Sequence, residues 1–313
     1  MTKNKIASSD QKPLHRSGFV AVVGRPNVGK STLINELLKQ KIAAVSPRPQ
    51  TTRRRQLGIL TLENAQIVFL DTPGMHHPHN KLGEFMNGVS QDALQDADVI
   101  LWMVEANAEP SQDDQLLTET IAGLSRPALV LLVLNKIDLV TPEQIEARKL
   151  TYLKLLPQAH PYVLSALTGL GSDELLEAVV KALPQGESFY DEEQVTDFYE
   201  RDIAAELIRE GALLYLHEEV PHCVAVRIDE YTERGDKGAF IGATIFVEKE
   251  SQKGIVIGQG GEMLKKIGSS ARKEIENMSG RKVFLEIRVK VSKNWRDDTD
   301  SLRMLGYVQQ KEG

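Results

Sequence analysis

The chain has 313 residues, of which 41% are apolar, and a formal net charge of −6 at pH 7. This length exceeds the usual size of a single domain, so we expect two domains, each with a buried core. The negative net charge excludes a nucleic-acid-binding field over the whole protein and leaves room only for a local basic patch. Because Cys223 is the one cysteine, an internal disulfide is excluded, and we interpret it as a small buried side chain without a chemical role.

The N-terminal residues 1–16 are polar and of mixed charge, and we expect a flexible tail rather than a secretion signal. The strongest apolar stretch, Ala128–Leu134, is far shorter than the roughly 18 residues that cross a bilayer. The sequence therefore predicts a soluble protein, or at most one that binds a membrane peripherally.

Short apolar runs alternate with amphipathic segments in the first half of the chain, which is typical of parallel strands connected by helices. The predicted strands are Phe19–Val23, Ile67–Leu70, Val99–Val104, Ala128–Leu134 and Tyr162–Leu164. Helix N-caps followed by acidic first turns are predicted at Ser111, Thr141 and Ser172. We therefore expect an α/β domain over 17–184, with a mostly parallel sheet and helices on both faces.

The pattern changes after a polar, acidic stretch at 185–196, which we interpret as the interdomain linker. The predicted elements beyond it are an amphipathic helix at Asp197–Glu218, strands at Cys223–Ile228 and Ala239–Val247, the apolar run Ile255–Ile257 before a glycine-rich turn, a helix at Glu262–Met278 and a final strand at Val283–Val291. This order predicts a smaller α+β domain over 197–313.

A phosphate-binding loop is predicted directly after the first strand, because residues 24–31 match the pattern G-x-x-x-x-G-K-[ST] and precede a helix. Glycines let backbone N–H groups face the phosphates, the Lys30 amine can reach the β- and γ-phosphates, and the Ser31 hydroxyl can coordinate magnesium. The predicted nucleotide-binding residues of this loop are Gly24, Arg25, Pro26, Asn27, Val28, Gly29, Lys30, Ser31 and Thr32.

The second predicted strand ends in Asp71-Thr72-Pro73-Gly74. The Asp71 carboxylate can hold magnesium through water there, and the Gly74 amide can contact the γ-phosphate. Because parallel sheets bind ligands at the carboxyl ends of their strands, we place all four residues in the nucleotide site and Asp71 at the magnesium.

A guanine-binding motif, Asn-Lys-Ile-Asp at 135–138, follows the most apolar strand. The Asp138 carboxylate can accept hydrogen bonds from the ring N–H and the amine of guanine, a pair that adenine does not offer. Asn135 is expected to brace the loop and the base, and the Lys136 stem to cover the ring. Ser165 and Ala166, after the next strand, are expected to present a backbone N–H to the guanine carbonyl. The motif favours GTP over ATP, and a P-loop kinase or ATPase is the alternative enzyme class.

These four motifs, in this order and at these strand ends, resemble the small GTPase superfamily in its translation-factor-related bacterial branch, over roughly Phe19 to Leu183. The resemblance implies that GTP is hydrolysed to GDP with magnesium as cofactor. It also implies a switch I at Ser46–Arg55, in which Thr51 or Thr52 binds magnesium, and we favour Thr52. The adjoining run Arg53–Arg55 is interpreted as a solvated basic segment, with a contact to RNA or a partner as the alternative.

Met75 occupies the position at which Ras-like GTPases have the glutamine that orients the attacking water. A thioether cannot do this, and some related GTPases instead use potassium held by a phosphate-loop asparagine, which Asn27 matches. The resemblance therefore implies slow hydrolysis promoted by potassium or by a bound partner. The implied catalytic residues are Lys30, Thr52, Gly74 and Asn27, and the implied magnesium ligands are Ser31, Thr52 and Asp71.

Three histidines, His76, His77 and His79, lie just beyond, in the expected switch II loop. They flank Pro78, and no nearby cysteine completes a familiar zinc pattern. We interpret them as part of an exposed polar loop, with metal binding as the less favoured alternative.

The segment 255–267 resembles the KH signature, in which a G-x-x-G loop joins two helices and clamps four single-stranded nucleotides. The order of helices and strands suggests the type II, bacterial, KH topology. A glycine bend beside a solvated basic helix is the alternative. Gly260 replaces the basic residue often found inside this loop, so contact with the nucleic acid backbone can shift to Lys265 and Lys266. The predicted RNA-binding residues are Gly258, Gln259, Gly260, Gly261, Lys265, Lys266 and Arg272.

Local charge supports RNA binding by this domain. The cations are Lys265, Lys266, Arg272, Lys273, Arg281, Lys282, Arg288, Lys290, Lys293 and Arg296, and the acids among them are Glu274, Glu276 and Glu286. Such an excess of positive charge predicts a patch that binds phosphate groups.

The complete arrangement, a GTPase domain followed by a KH domain, resembles a family of bacterial ribosome-assembly GTPases. Further matches are Gln50–Arg53, Val289–Val291 with Trp295, and Leu305–Tyr307. The resemblance implies that GTP promotes binding to the single-stranded 3′ end of 16S ribosomal RNA during biogenesis of the 30S subunit. Another RNA, or constitutive RNA binding with a structural nucleotide, is the alternative. A monomer in the cytoplasm is expected, with peripheral association at the inner membrane left open.

Overall fold

The structure, a computed structural model, describes residues 15–46, 48, 51–235 and 238–307. The N-terminal domain contains the strands β1 (Arg16–Val23), β2 (Gln56–Leu62), β3 (Ala65–Asp71), β4 (Val99–Glu105), β5 (Leu129–Asn135) and β6 (His160–Val163). Its helices are α1 (Lys30–Leu38), α2 (Lys81–Asp96), α3 (Gln112–Ala122), α4 (Pro142–Leu153) and α5 (Ser172–Ala182). The predicted tail 1–16 lies almost wholly outside the described residues.

The N-terminal sheet has the strand order β2-β3-β1-β4-β5-β6. All neighbouring pairs are parallel except β2 and β3, which form an antiparallel hairpin. The five predicted strands are confirmed, whereas β2 and α2 have no counterpart in the sequence prediction. The two residues Glu63 and Asn64 connect β2 to β3, and they contain no glycine that would have marked a tight turn in the sequence.

Helices cover both faces of this sheet, as predicted. On one face, β1 side chains such as Val20 and Val22 pack against α1 and α5. On the other face, Ala21 and Val23 belong to a core with α2, α3 and α4. Alternate residues of β1 thus enter opposite cores, which explains why the strand is apolar throughout.

The C-terminal domain contains the helices α6 (Glu200–Tyr215), α7 (Glu250–Ile257), α8 (Glu262–Ser279) and α9 (Thr299–Met304), and the strands β7 (Ala225–Glu233), β8 (Ala239–Val247) and β9 (Val283–Val291). The strand order is β7-β8-β9, with β7 antiparallel and β9 parallel to β8. This α-β-β-α-α-β order, with the short α9 after it, is the predicted type II KH topology. The helices pack on one sheet face, where Ile241, Ile245 and Ile267 share a core.

Several boundaries differ from the prediction: α6 ends at Tyr215 rather than Glu218, and β7 covers Ala225–Glu233 rather than Cys223–Ile228. Helix α6 begins at Glu200 rather than Asp197, and the Asp197 carboxylate instead accepts a hydrogen bond from the Leu57 amide at 2.9 Å. Helix α5 is capped by Gly171, in a left-handed conformation, so Ser172 is its first residue rather than its N-cap. The predicted caps Ser111 and Thr141 both accept hydrogen bonds from their helices.

The predicted linker packs along the N-terminal domain. The Val195 carbonyl accepts a hydrogen bond from the Ile59 amide at 2.9 Å, which covers the outer edge of β2. The buried Gln66 side chain accepts hydrogen bonds from the amides of Phe189 and Tyr190 at 2.7 and 2.9 Å. The bond to Val195 pairs a backbone amide of the edge strand β2 that would otherwise be unpaired, and the bonds to Gln66 attach the linker to β3.

An apolar interface joins the two domains. Leu82 and Met86 of α2 share a buried cluster with aromatic and aliphatic side chains of the C-terminal domain, namely Ala225, Phe246, Trp295, Leu302, Leu305 and Tyr307. The Trp295 indole N–H also donates to the Cys223 carbonyl at 2.9 Å. Cys223 is buried, as predicted. Within the part of the chain that the structure describes, no helix is long and apolar enough to span a membrane.

Candidate functional site

The phosphate loop connects β1 to α1 and borders a pocket at the carboxyl edge of the sheet. The pocket is lined by Pro26, Asn27, Gly29, Lys30, Ser31, Thr32, Ser46, Thr51, Thr52 and Gly74. The Lys30 amine donates to the carbonyls of Gly24 and Arg25 at 3.1 and 2.9 Å, so it lies across the loop. Motif residues that are distant in sequence therefore converge on one site.

Three oxygen-bearing side chains meet at one corner of this pocket. The Ser31 hydroxyl lies 2.8 Å from the Asp71 Oδ2 atom and 3.0 Å from the Thr52 hydroxyl. The other Asp71 oxygen, Oδ1, is buried without a hydrogen-bond partner among the described residues. A carboxylate and two hydroxyls are hard oxygen ligands of the kind that magnesium prefers, so the residues fit this ion.

The geometry favours Thr52 over Thr51 as the switch I ligand. The Thr52 hydroxyl lies 3.3 Å from Asp71, whereas the Thr51 hydroxyl donates to the Arg48 carbonyl at 2.7 Å. Residues 47, 49 and 50 of the predicted switch I lie outside the described residues.

Burial shifts the pKa values of two ionisable side chains at this corner. Desolvation lowers the pKa of Lys30 to about 8, although the Asp71 carboxylate opposes this change. Desolvation also raises the pKa of Asp71 to about 6, against hydrogen bonds from Ser31 and Thr52. Bound magnesium and phosphate would supply the opposite charges that favour carboxylate and ammonium.

Switch II lies directly against the phosphate loop. A Cβ atom built on Gly74 would lie 2.5 Å from the Pro26 nitrogen, so only glycine allows this approach. The Thr72 hydroxyl donates to the Val22 carbonyl at 2.8 Å, and the Pro73 carbonyl accepts from Ser90 at 2.8 Å. Thr72 and Pro73 thus position the segment through bonds that lead away from the pocket.

Met75 is buried in the core and cannot orient water, as the sequence indicates. His76 is half-buried beside it and its Nδ1 lies 2.9 Å from the Gly74 carbonyl oxygen, while His77 and His79 are exposed. No cluster of three or more histidine, cysteine or acidic side chains suited to a metal occurs within the described ranges.

The base end of the site is held by Asn135. Its side-chain amide donates to the Val28 carbonyl at 2.8 Å, and its oxygen accepts from the Ala166 amide at 2.9 Å. This links the phosphate loop to the segment after β6, which is the bracing role expected for Asn135. The Ser165 amide donates to the Leu170 carbonyl at 2.9 Å. Both amides of the Ser165-Ala166 pair therefore already have acceptors within the protein.

The two other guanine-motif residues lie in an open turn. Asp138 is exposed within a 3-10 turn, Ile137–Leu139, so its carboxylate is accessible to a base. Lys136 has a left-handed backbone, with φ of 65°, and its amine pairs with Glu105. The stem of Lys136 is thereby fixed beside the site.

The Arg25 side chain supports the loop from behind. Its guanidinium is 3.1 Å from the fully buried Asp114 carboxylate and 3.4 Å from the Tyr152 hydroxyl. Desolvation raises the pKa of Asp114, and hydrogen bonds from Ser111 together with the Arg25 charge oppose the change. Arg25 therefore positions the loop through its side chain and has only its backbone to offer the phosphates.

The interpretation of Arg53–Arg55 as a solvated run is wrong for its first two members. Arg53 is buried, donates to the Val224 carbonyl at 2.7 Å and lies 5.6 Å from the centre of the Trp295 ring. Arg54 donates to the Leu305 carbonyl and lies over Tyr307. Of the three, Arg55 alone is exposed. The C-terminal domain is thus the partner of this segment.

A second candidate site lies in the C-terminal domain. The predicted G-x-x-G residues join α7 to α8, and Gly258, Gly260 and Gly261 all have positive φ, between 59° and 83°. A cleft beside the loop, between α8 and β9, is lined by Gly261, Leu264, Lys265, Gly268, Ser269, Arg272, Leu285 and Ile287. An apolar floor with a basic rim suits bases and phosphates of a single strand.

The basic patch is smaller than the sequence suggests. Arg281 pairs with Glu200 and Glu233, and Arg296 pairs with Glu248, acids that are distant in sequence. Arg288 and Lys282 pair with nearby acids. Lys265, Lys266 and Arg272 are exposed and form no ion pair with any described residue. Lys273, Lys290 and Lys293 are likewise exposed and form no ion pair with a described residue. Unpaired positive charge is therefore found at the cleft and also beyond it.

Comparisons with known proteins identify both domains. Residues 19–136 match a family described as 50S ribosome-binding GTPase, and residues 219–296 match the KH domain family. The chain is 49% identical over 294 residues to GTPase Era of Caldicellulosiruptor saccharolyticus, covering 93% of this chain and 97% of that protein. It is 42% identical to GTPase Era of Staphylococcus haemolyticus, covering 95% and 99% respectively.

Two crystal structures of Era are also similar. One contains Era with MgGDPNP and nucleotides 1506–1542 of 16S ribosomal RNA, with a TM-score of 0.89 and 40% identity. The other contains an Aquifex aeolicus Era variant bound to GDP·AlF4−, with a TM-score of 0.89 and 39% identity. In each case the match covers 94% of this chain and the whole of the other.

The contact behind the phosphate loop is testable with Asp114→Ala. The change leaves the Arg25 guanidinium without its buried partner, so we expect a loss of about 1–3 kcal/mol in stability. The phosphate loop contacts both nucleotides, so affinities for GTP and GDP should fall by a similar factor. Thermal unfolding and titration with fluorescent nucleotides measure the two effects. Asp113→Ala, which removes the same charge from the same turn, is the control, and equal behaviour of the two variants would contradict this role.

Proposed function

The chain belongs to the Era family of GTPases, and we propose that it is a GTP-dependent switch that binds the single-stranded 3′ end of 16S ribosomal RNA during 30S biogenesis. The observation that carries the proposal is the presence, in one chain, of a complete set of guanine-nucleotide motifs and a KH cleft with an exposed basic rim. The similarity to Era bound to 16S nucleotides supports the choice of RNA.

In this proposal the N-terminal site holds GTP and magnesium. Ser31, Thr52 and Asp71 hold the magnesium, which neutralises charge on the phosphate oxygens when it is bound. Lys30 and the backbone of the loop contact the phosphates, and the Gly74 amide contacts the γ-phosphate. Asp138 selects guanine, while Lys136 and the Ser165-Ala166 segment enclose the base.

We propose that potassium replaces the missing glutamine. Met75 is buried, so it leaves no polar side chain at its position to orient water. Asn27 lines the phosphate pocket and has a left-handed backbone, with φ of 67°. Its side-chain oxygen is the proposed ligand for a monovalent cation beside the phosphates.

The RNA strand is proposed to lie in the cleft between α8 and β9. Gly258, Gln259, Gly260 and Gly261 would clamp its backbone, while Lys265, Lys266 and Arg272 would neutralise phosphates. We further propose that the protein acts as a monomer in the cytoplasm on the 30S subunit, with any contact to the inner membrane being peripheral.

The KH loop is tested by Gly260→Asp with Gly260→Asn as its matched control. A Cβ atom at Gly260 meets nothing within 4 Å, and its backbone, at φ 59° and ψ 15°, is one that asparagine and aspartate tolerate. Asp adds a negative charge where phosphate must approach, whereas Asn adds only bulk. We expect the Asp variant to bind a 16S 3′ segment about tenfold more weakly than the Asn variant, with GTP affinity unchanged.

Fluorescence anisotropy with the labelled 16S segment measures this difference. Equal RNA affinity of the two variants would place the strand elsewhere. An unrelated single strand of the same length is the comparison for sequence, and equal binding of both RNAs by the unmodified protein would favour another RNA as the natural ligand.

The potassium proposal is tested with Asn27→Gly, because glycine accepts the positive φ while removing the side chain. We expect GTP hydrolysis to be faster in potassium chloride than in sodium chloride at equal ionic strength. The variant should lose this difference and retain its affinity for a GTP analogue. Equal rates of the unmodified protein in the two salts would remove the proposed role of Asn27.

A further inference from the structure

The C-terminal domain holds switch I on both sides of Thr52. Arg209, on the inner face of α6, donates a hydrogen bond to the Thr51 carbonyl. On the other side, Arg53 donates to the carbonyls of Val224 and His222 at 2.7 and 3.2 Å. Thr52, the residue proposed to bind magnesium, therefore lies between two residues that are attached to the other domain, Thr51 through its carbonyl and Arg53 through its side chain.

The surroundings of the Arg209 side chain restrict its movement, so that it can hold the Thr51 carbonyl in a fixed position. Its side chain is 1% exposed. The Glu206 carboxylate, one turn earlier on α6, accepts from its Nε at 3.0 Å and also from Nη2, the nitrogen that reaches the Thr51 carbonyl. A planar guanidinium held in this way has little freedom to follow a moving carbonyl, so it fixes the carbonyl instead.

The Thr51 carbonyl belongs to the peptide bond that leads directly into Thr52, the residue at the magnesium corner. The Thr52 hydroxyl lies 3.0 Å from Ser31 and 3.3 Å from Asp71. A shift of the Thr51 carbonyl rotates the peptide that leads into Thr52, and misplacement of a ligand by about 1 Å is enough to weaken its function.

We infer that Arg209 is a positioning residue for GTP hydrolysis: through the Thr51 carbonyl it sets the Thr52 hydroxyl at the magnesium corner, so that the C-terminal domain completes the nucleotide site. The inference rests on the proposed role of Thr52. It predicts an asymmetry between nucleotides, because a ligand that acts at the γ-phosphate end matters for GTP and little for GDP.

The alternative is that Arg209 only joins the domains. In that case its removal lowers the melting temperature and changes GTP and GDP binding equally. The ratio of the two affinities therefore separates positioning from simple adhesion, and it requires no hydrolysis.

The experiment uses the full chain and the variants Arg209→Met, Arg209→Lys and Arg201→Met. Arg201 lies on the same helix and donates to the Ile228 carbonyl within its own domain, so it is the matched control. Affinities for a non-hydrolysable GTP analogue with magnesium and for GDP are measured, together with kcat. Hydrogen exchange of the nucleotide-free protein over residues 51–57 reports whether switch I is released.

Arg209→Met is expected to bind the GTP analogue about tenfold more weakly, the factor that corresponds to one lost charged hydrogen bond. GDP affinity should change less than about twofold, kcat should fall, and exchange over 51–57 should accelerate. Arg209→Lys keeps the positive charge but lacks the planar, forked N–H donors of a guanidinium. It should therefore recover part of the lost affinity for the GTP analogue. Arg201→Met should match the unmodified protein.

Thr52→Ala separates failure of the inference from failure of the proposed site. If Thr52→Ala lowers the analogue-to-GDP affinity ratio and Arg209→Met behaves like Arg201→Met, the inference is overturned and the magnesium role of Thr52 stands. If Thr52→Ala leaves the ratio unchanged, both are overturned. If Arg209→Met lowers the melting temperature but leaves the analogue-to-GDP affinity ratio unchanged, the positioning role is also overturned. Arg209 then only joins the two domains.

Discussion

The site depends on one constraint: Ser31, Asp71 and Thr52 must bring their oxygen atoms together although they come from three separate segments. Two of the segments are fixed by the sheet, since β1 leads into the phosphate loop and its parallel neighbour β3 ends at Asp71. The third is switch I, whose described residues form neither a helix nor a strand. Burial raises the pKa of Asp71 to about 6, so a cation bound at this corner would favour the charged form of its carboxylate.

The position of switch I is shared between the domains. Thr51 and Arg53 are held by the C-terminal domain, and Arg54 stacks on Tyr307 near its end. The same domain carries the KH cleft. Any change of switch I that accompanies the presence or loss of a γ-phosphate therefore acts on contacts that also hold the RNA-binding domain. This gives a physical route by which nucleotide and RNA can influence each other.

Local patterns predicted the motif residues, because strand, turn and ligand chemistry lie within a few positions of one another. They did not predict β2, whose pattern follows directly on the arginine run. They also did not predict that Arg53 and Arg54 of this run contact the C-terminal domain. Arg53 reads as a surface cation because its partners are far away in the chain, and the Arg209–Thr51 contact joins residues 158 positions apart. The basic patch was overestimated for the same reason, since Glu200 and Glu248 reach Arg281 and Arg296 only in the fold. Local patterns in one sequence carry no signal for contacts between residues that are far apart in the chain.

Energetic coupling between the two sites is measured most directly by the affinity of the unmodified protein for a single-stranded 16S 3′ segment in its GTP-analogue and GDP states. We expect tighter RNA binding with the GTP analogue, and linkage requires that RNA increase the preference for the analogue over GDP by the same factor. Equal RNA affinity in the two nucleotide states would contradict this coupling and reduce the protein to two independent binding modules.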